Sequence, residues 1–160
     1  MKTAVVILNW NGKQILEQFM GSIVKHSHFP DVKLYLVDNA STDESVAFIQ
    51  SNFPNITIIQ LDKNYGFAEG YNRGLKQIDA DVYVLLNSDV EVTENWLPPL
   101  LNMLDNDTTI GACMPKIKSF KQRDTFEYAG AAGGFMDKFG YTFCRGRIFE
   151  YCEQDSGQYD

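Results

Sequence analysis

Two apolar runs, Ala4-Val5-Val6-Ile7-Leu8 and Val82-Tyr83-Val84-Leu85-Leu86, each stop at a polar turn, and they constrain the fold more than any other feature. Successive strand side chains point to opposite faces, so a short run that is apolar at every position reads as a strand covered on both sides. Between the runs the spacing changes. Ile15, Leu16, Phe19, Met20, Ile23 and Val24 form one stripe on a helix of about three turns. Leu34 to Val37 reads as a second strand closing on Asp38-Asn39-Ala40. Ser41 and Glu44 then read as an S-x-x-E capping box that opens a helix burying Val46 and Ile49. Ile56 to Ile59 is a third strand, Asn64 to Gly66 a turn, and Phe67 to Ile78 a helix. After Leu86, a helix is expected between Asn95 and Leu104 with Pro98 and Pro99 in its first turn, and a fifth strand at Ile110 to Met114. Strand–helix alternation of this kind predicts right-handed crossovers and a mostly parallel sheet with helices on both faces. The fold class is α/β.

Beyond Pro115 the character changes. Residues 116–160 hold ten of the 21 aromatics and six of the twelve glycines, and they show no helical period. This tail reads as loop or short irregular strands, with the beginning of a further element rather than its end. No apolar run approaches the roughly 20 residues of a membrane span, and no basic start precedes an apolar signal segment. The net charge of −7 argues against a nucleic-acid duplex as the main partner, because phosphate neutralisation dominates such binding, but it leaves room for a single nucleotide. Three widely spaced cysteines, Cys113, Cys144 and Cys152, read as reduced thiols in the cytoplasm, and His26 and His28 as solvated loop residues.

In an open parallel sheet, ligands bind outside the carboxyl ends of the strands. Strand one delivers Asn9, Trp10 and Asn11 to that rim, strand two Asp38 and Asn39, and strand four Asn87, Ser88, Asp89 and Glu91. A carboxylate can accept a hydrogen bond from a nucleobase N–H, and an aromatic can stack on the base or ribose. Asp89 and Glu91 are hard oxygen ligands of the type that Mg²⁺ or Mn²⁺ accepts beside diphosphate oxygens. Each Asp alone reads equally well as a turn or helix cap. Gly66, Gly70 and Gly74 would share one helix face, where close approach to a strand or to a ligand offsets the loss of helix propensity. Arg73 could pair with phosphate or with surface carboxylates, and the second reading is preferred. The dinucleotide fingerprint, the Walker loop and the Gly-x-Ser-x-Gly elbow are all absent.

Four blocks occur in order: Val6-Ile7-Leu8-Asn9-Trp10-Asn11-Gly12, Val37 through Asp43, Asn64-Tyr65-Gly66-Phe67-Ala68 through Asn72-Arg73-Gly74, and Leu85 through Glu91. Together they resemble the family 2 glycosyltransferases of the GT-A fold, in the branch that includes rhamnosyltransferase-like enzymes. The resemblance covers the first 115 residues well and the tail loosely. It implies a nucleotide-sugar-binding domain at 1–115 and the start of an acceptor-side region at 116–160. Asp38 would bind the uracil or thymine edge of a UDP- or dTDP-type sugar donor, with Asn9, Trp10, Asn11 and Asn39 lining the base pocket. Asn64, Gly66, Phe67 and Asn72 would flank the nucleoside. Asp89 would close a D-x-D-type motif and hold a divalent Mn or Mg ion, with Asn87 at the first acidic position and Glu91 as a further ligand. The implied reaction is inverting transfer to a glycan or lipid-linked acceptor, as in polysaccharide biosynthesis. The family's base lies in a later Glu-Asp-type motif, so the catalytic residue is expected beyond Asp160, and the chain is expected to be a donor-binding fragment of low activity. A cytoplasmic location, peripheral at the inner face of the membrane, and a homodimer complete these expectations.

Two other classes are compatible with parts of the sequence. A nucleotidyltransferase-like enzyme would want a Gly-rich basic phosphate loop after strand one, where only Gly12-Lys13 stands. A non-catalytic carbohydrate- or protein-binding module would use the aromatic tail as its platform.

Overall fold

The computed structural model describes residues 1–159, which form two compact units, 1–94 and 95–159. The first alternates strands and helices: β1 (Thr3–Asn9), α1 (Lys13–His26), β2 (Val32–Asp38), α2 (Ser45–Asn52), β3 (Thr57–Gln60), α3 (Gly66–Leu75) and β4 (Val82–Leu86). All pairings are parallel and the sheet order is β3-β2-β1-β4. The expected alternation and the parallel sheet are present.

Alternation along β1 divides the core. Ala4 and Val6 pack with Val37, Ile59, Tyr71 and Ile78, the layer that α3 covers. Val5 and Ile7 point the other way and are fully buried. Leu16, Phe19, Met20 and Ile23 of α1 and Ile49 of α2 are the buried helix residues available to that side. Steps from β1 to β2 to β3 run in one direction across the sheet and the step to β4 runs back. Right-handed crossovers therefore set α1 and α2 on one face and α3 on the other. That reversal creates a switch point between β1 and β4, whose carboxyl ends flank a crevice.

The glycine series of α3 serves two purposes. A Cβ on Gly74 would lie 2.4 Å from Val37 Cγ2, and one on Gly70 would lie 3.1 Å from both Leu8 Cδ1 and Asn39 Nδ2. These two glycines permit close approach of helix and sheet. A Cβ on Gly66 would meet nothing within 4 Å, but φ there is +75°, so this glycine serves the turn that opens the helix.

Several boundaries differ from the sequence reading. α1 extends to His26, which therefore closes a helix rather than lying in a loop, and Lys25 and His26 favour its carboxyl end. α3 stops at Leu75, and Ile78 packs into the core beyond it. The Ser41–Glu44 capping box does not form: α2 begins at Ser45, and Ser41 is drawn to the Asp38 carboxylate instead.

The second unit holds α4 (Pro98–Asn106), with Pro98 and Pro99 in its first turn as expected. It continues with β5 (Gly134–Met136), β6 (Thr142–Cys144), β7 (Arg147–Ile148) and β8 (Tyr151–Cys152), an antiparallel sheet in chain order. The compositional boundary at 115/116 falls inside this unit. Ile110 to Met114 forms no strand. The tail, in contrast, carries more order than its composition suggests, because Phe126, Ala131 and Ala132 form a small core against Cys144 and Tyr159. On the opposite face the register aligns Phe135 with Phe143 and Ile148 with Tyr151, and all four are exposed. Lys116 and Lys118 both pair with Asp155 at 3.1 Å, tying the start of the tail to its end. Cys113, Cys144 and Cys152 are free thiols, each half-buried. Asp160, named as the limit for the base, lies outside the described residues.

Candidate functional site

Strand ends of β1, β2 and β3 finish nearly flush, with Asn9 opposite Asp38 and Asp38 opposite Gln60. The ladder continues one step further, from Asn39 N–H to Asn9 C=O at 2.8 Å and from Leu61 N–H to Asp38 C=O at 2.8 Å. Asp38 and Asn39 then diverge, because neighbouring strand residues face opposite ways. Each is buried and enters a separate polar cluster at the rim.

On the α1–α2 side, the Asn9 carboxamide is about 1% exposed, and its Nδ2 lies 2.9 Å from Asp38 Oδ1, 3.0 Å from Ser41 Oγ and 2.9 Å from Ser45 Oγ. Ser41 donates its hydroxyl to Asp38 Oδ1 at 2.6 Å and its backbone N–H to Asp38 Oδ2 at 3.0 Å. Asp38 itself is about 1% exposed. A carboxylate offers about four acceptor directions, so these contacts leave one open, on Oδ2.

The loops around this cluster are stitched together. Asn11 N–H donates to Ser41 Oγ at 2.9 Å, while Asn11 Oδ1 accepts the Thr42 N–H at 2.7 Å. Asp43 accepts from Lys13 N–H and from both the N–H and hydroxyl of Ser45. Desolvation pushes the Asp43 carboxyl up, but the Ser45 hydroxyl and the backbone N–H groups of Lys13, Ser45 and Asp43 itself outweigh it and hold the group below its ordinary value. Asn11 and Ala40 both have positive φ, at 52° and 59°, as the tight loops require.

On the α3 side, Asn39 Nδ2 donates to Asn64 Oδ1 and to Gly66 C=O, each at 2.9 Å, and its Oδ1 accepts the Tyr65 N–H at 2.9 Å. Asn64 Oδ1 also accepts the Gly66 N–H at 2.8 Å. Asn39, Asn64 and Gly66 are thus brought together, bonded to one another. Tyr71 anchors α3 to the end of β4 through its hydroxyl, which donates to Leu86 C=O at 3.1 Å. Burial pushes this phenol up. Arg73 pairs with Glu69 at 2.8 Å and stacks 3.8 Å over the Tyr65 ring, a surface role as expected.

The remaining rim residues are open to solvent. Trp10 is 58% exposed and Phe67 is 65% exposed, with the Phe67 ring edge-on to Tyr71. Asn72 is also exposed, as are Asn87, Asp89 and Glu91 after β4. Among the described residues no three His, Cys, Asp or Glu side chains gather as a metal cluster. The donors after β4 are oxygens only, two carboxylates and one carboxamide on alternate residues. Such a partial set fits Mg²⁺ or Mn²⁺ of the kind that completes its shell with substrate phosphate and water.

In the second unit, three carboxylates are committed to local structure. Asp137 accepts from the N–H groups of Phe139 and Tyr141, Glu127 from that of Tyr128, and Asp124 from the Gln154 side chain.

Sequence reading missed Ser41 and Ser45 as members of the site. The signal was present in Asp38-Asn39-Ala40-Ser41-Thr42-Asp43, a run of residues whose short side chains bond nearby backbone in turns. It was attributed to a helix cap.

Comparison with known proteins gives a consistent picture. The family model for glycosyl transferase family 2 matches residues 4–153. A dolichol-phosphate mannosyltransferase from Pyrococcus furiosus is 25% identical over 124 residues, covering 76% of this chain and 35% of the relative. Among solved structures, the mannosyltransferase PcManGT from Pyrobaculum calidifontis, in complex with GDP-Man and Mn²⁺, superposes with a TM-score of 0.64 at 20% identity. It covers 75% of this chain and 37% of its own. S. aureus TarS 1-349 in complex with UDP-GlcNAc gives a TM-score of 0.58 at 21% identity, over 74% and 39% of the two chains. The chain therefore spans little more than a third of the length of these proteins, and its fold is that of the GT-A glycosyltransferases.

Proposed function

Because the chain belongs to glycosyl transferase family 2, we propose that it forms the donor side of a transfer of sugar from a nucleoside-diphosphate sugar to an acceptor hydroxyl. One observation carries this reading. The sheet order β3-β2-β1-β4 sets its switch point between β1 and β4, and the polar residues Asn9 to Asn11 and Asn87 to Glu91 follow those two strands.

In this reading the open acceptor direction on Asp38 Oδ2 takes the N–H edge of a pyrimidine base. Trp10 and Phe67 supply exposed aromatic faces for the base or ribose, and Asn11, Asn64, Gly66 and Asn72 flank the nucleoside. Asp89, with Asn87 or Glu91, would hold a divalent cation, which when bound supplies charge neutralisation to the departing diphosphate. The acceptor oxygen bonds to the anomeric carbon as the bond from that carbon to the diphosphate oxygen breaks. The hydroxyl proton passes to a carboxylate base. One displacement inverts the configuration. The antiparallel sheet of the second unit belongs to the acceptor side, for a glycan or lipid-linked acceptor. Three free thiols support a reducing, cytoplasmic setting for a protein that acts peripherally at the membrane. No helix among the described residues is long and apolar enough to cross a membrane. The rhamnosyltransferase-like branch enters this reading on its motif resemblance.

Calorimetric titration with UDP, dTDP, GDP and ADP, with and without Mn²⁺, tests it. Binding of a pyrimidine diphosphate that strengthens with Mn²⁺ and is lost in Asp38→Ala is the expected result. Preference for GDP would overturn the pyrimidine assignment, and indifference to Asp38→Ala would overturn its role.

A further inference from the structure

The Asn9 carboxamide presents an asymmetry that the donor site explains. Its Nδ2 faces three oxygens, yet its Oδ1 is buried with no hydrogen-bond partner. Buried acceptors are rarely left this way, so the orientation is imposed by the surroundings and not by the needs of Asn9 itself. Turning the amide over would set Oδ1 against Asp38 Oδ1, Ser41 Oγ and Ser45 Oγ.

The direction of the surrounding bonds shows what imposes it. Ser45 donates its hydroxyl proton to Asp43 Oδ1, which leaves a lone pair toward Asn9 Nδ2. Ser41 donates its own proton to Asp38 Oδ1, so its lone pairs receive Asn11 N–H and Asn9 Nδ2. Both hydroxyls thus act on Asn9 as acceptors, and the amide nitrogen must face inward. Gly12 leaves room for the displaced oxygen, since a Cβ there would lie 2.5 Å from Asn9 Oδ1. The outcome falls on Asp38. Two donors saturate Oδ1, one backbone donor holds Oδ2, and the single free lone pair points in a fixed direction.

We propose that Ser45 and Ser41, acting through and with Asn9, are positioning residues that aim Asp38 Oδ2 at the nucleobase N–H. Ser45 makes no hydrogen bond to Asp38 and acts through the carboxamide. This inference rests on the reading that Asp38 takes the base edge, and the experiment separates the two.

The probes are UDP and N3-methyl-UDP, which differ in the N–H that Asp38 would accept, titrated by calorimetry into the 160-residue chain and its variants. Wild type is expected to favour UDP by about tenfold to a hundredfold, the worth of a hydrogen bond to a charged acceptor. Asp38→Asn should abolish that preference. Ser45→Ala should reduce it several-fold while circular dichroism shows the fold retained. Ser41→Ala should reduce it as well, and Ser41→Thr, which keeps the hydroxyl, should restore it. If Ser45→Ala proves unfolded, the Ser41 pair alone decides. Variants that lose affinity for both nucleotides equally, with the ratio intact, would reduce Ser41 and Ser45 to structural roles and overturn the proposal. A wild type that does not distinguish the two nucleotides would overturn the base-reading role of Asp38 itself.

Discussion

Asn9 and Asp38 close the last rung shared by β1 and β2, and the carboxamide of one donates to the carboxylate of the other across 2.9 Å. Side chains opposite each other at the end of a parallel ladder ordinarily diverge into solvent. Here both are buried, and a charged group held in such a place must be hydrogen-bonded to be tolerated. The clusters around Asp38 and Asn39 can be probed one at a time.

Asn39 holds the turn before α3 through three bonds to Asn64, Tyr65 and Gly66. Asn39→Ala leaves these groups without their buried partner and should cost about 1–3 kcal/mol, read by urea denaturation. Hydrogen exchange should show the added mobility confined to residues 62–68, with β1 and β2 unchanged.

Two glycine-to-alanine substitutions should have opposite signs. Gly74→Ala drives a methyl into Val37 and should destabilise by about 1–3 kcal/mol despite the better helix propensity of alanine. Gly21→Ala, in α1 with nothing within 4 Å of the added Cβ, should stabilise by roughly 0.5–1 kcal/mol. Thermal and chemical denaturation of the two variants side by side checks both.

Asp155 sets an acid limit on the second unit. Its hydrogen bond from Lys116, and then that from Lys118, hold its carboxyl below the ordinary 3.8. The folded chain therefore binds this proton more weakly than the unfolded chain does. The stabilisation is complete above about pH 4 and disappears as the pH falls through the lowered folded value. Near-ultraviolet circular dichroism of the tyrosine-rich tail should lose intensity in that acid window, and Asp155→Asn should flatten the dependence.

Exposed Trp10 offers an optical test of the donor site. The chain has two tryptophans, Trp10 and Trp96, and a base or ribose stacked on Trp10 should change its emission. Titration with the preferred nucleotide should shift fluorescence in wild type and leave Trp10→Phe unresponsive.

The neutral residue at position 87 makes a directional prediction. Asn87→Asp adds a second carboxylate two residues before Asp89 and should tighten Mn²⁺ binding in the presence of nucleotide by roughly tenfold. Asp89→Ala should remove the metal-dependent part of nucleotide affinity. Electron paramagnetic resonance of Mn²⁺ gives the readout.

The first unit was largely legible in the sequence because its strands are apolar runs, although the expected cover on both sides fails at the edge strand β4, where Tyr83 and Leu85 are exposed. Ala4 to Leu8 and Val82 to Leu86 are apolar at every position, and glycines stand where α3 meets Val37 and Leu8. The short strands of the second unit gave no such signal. Arg147–Ile148 and Tyr151–Cys152 are two residues each, too short for a period to register, and their sheet keeps Phe135, Phe143, Ile148 and Tyr151 on an exposed face. At the rim, residue types were readable but directions were not. That Asp38 belongs to a strand end follows from its position, whereas its surroundings depend on Ser41 folding back from the loop before α2 and on Asn9 across the rung. Local preference offered Ser41 a helix cap ahead of it, and the equally local bonds back to the Asp38 carboxylate prevailed.

Asp38 and Asn39 give the end of β2 a polarity through its thickness, one group committed to each side of the sheet. A slip of one residue in β2 against β1 would exchange them, driving a carboxylate under α3 against Leu8 and Gly70 and away from Ser41. Insertions should therefore be tolerated in the loops before Val32 and after Asn52, and never singly between Val32 and Asp38. The register of this one strand, more than the identity of any rim residue, is what a library of insertion variants would find indispensable.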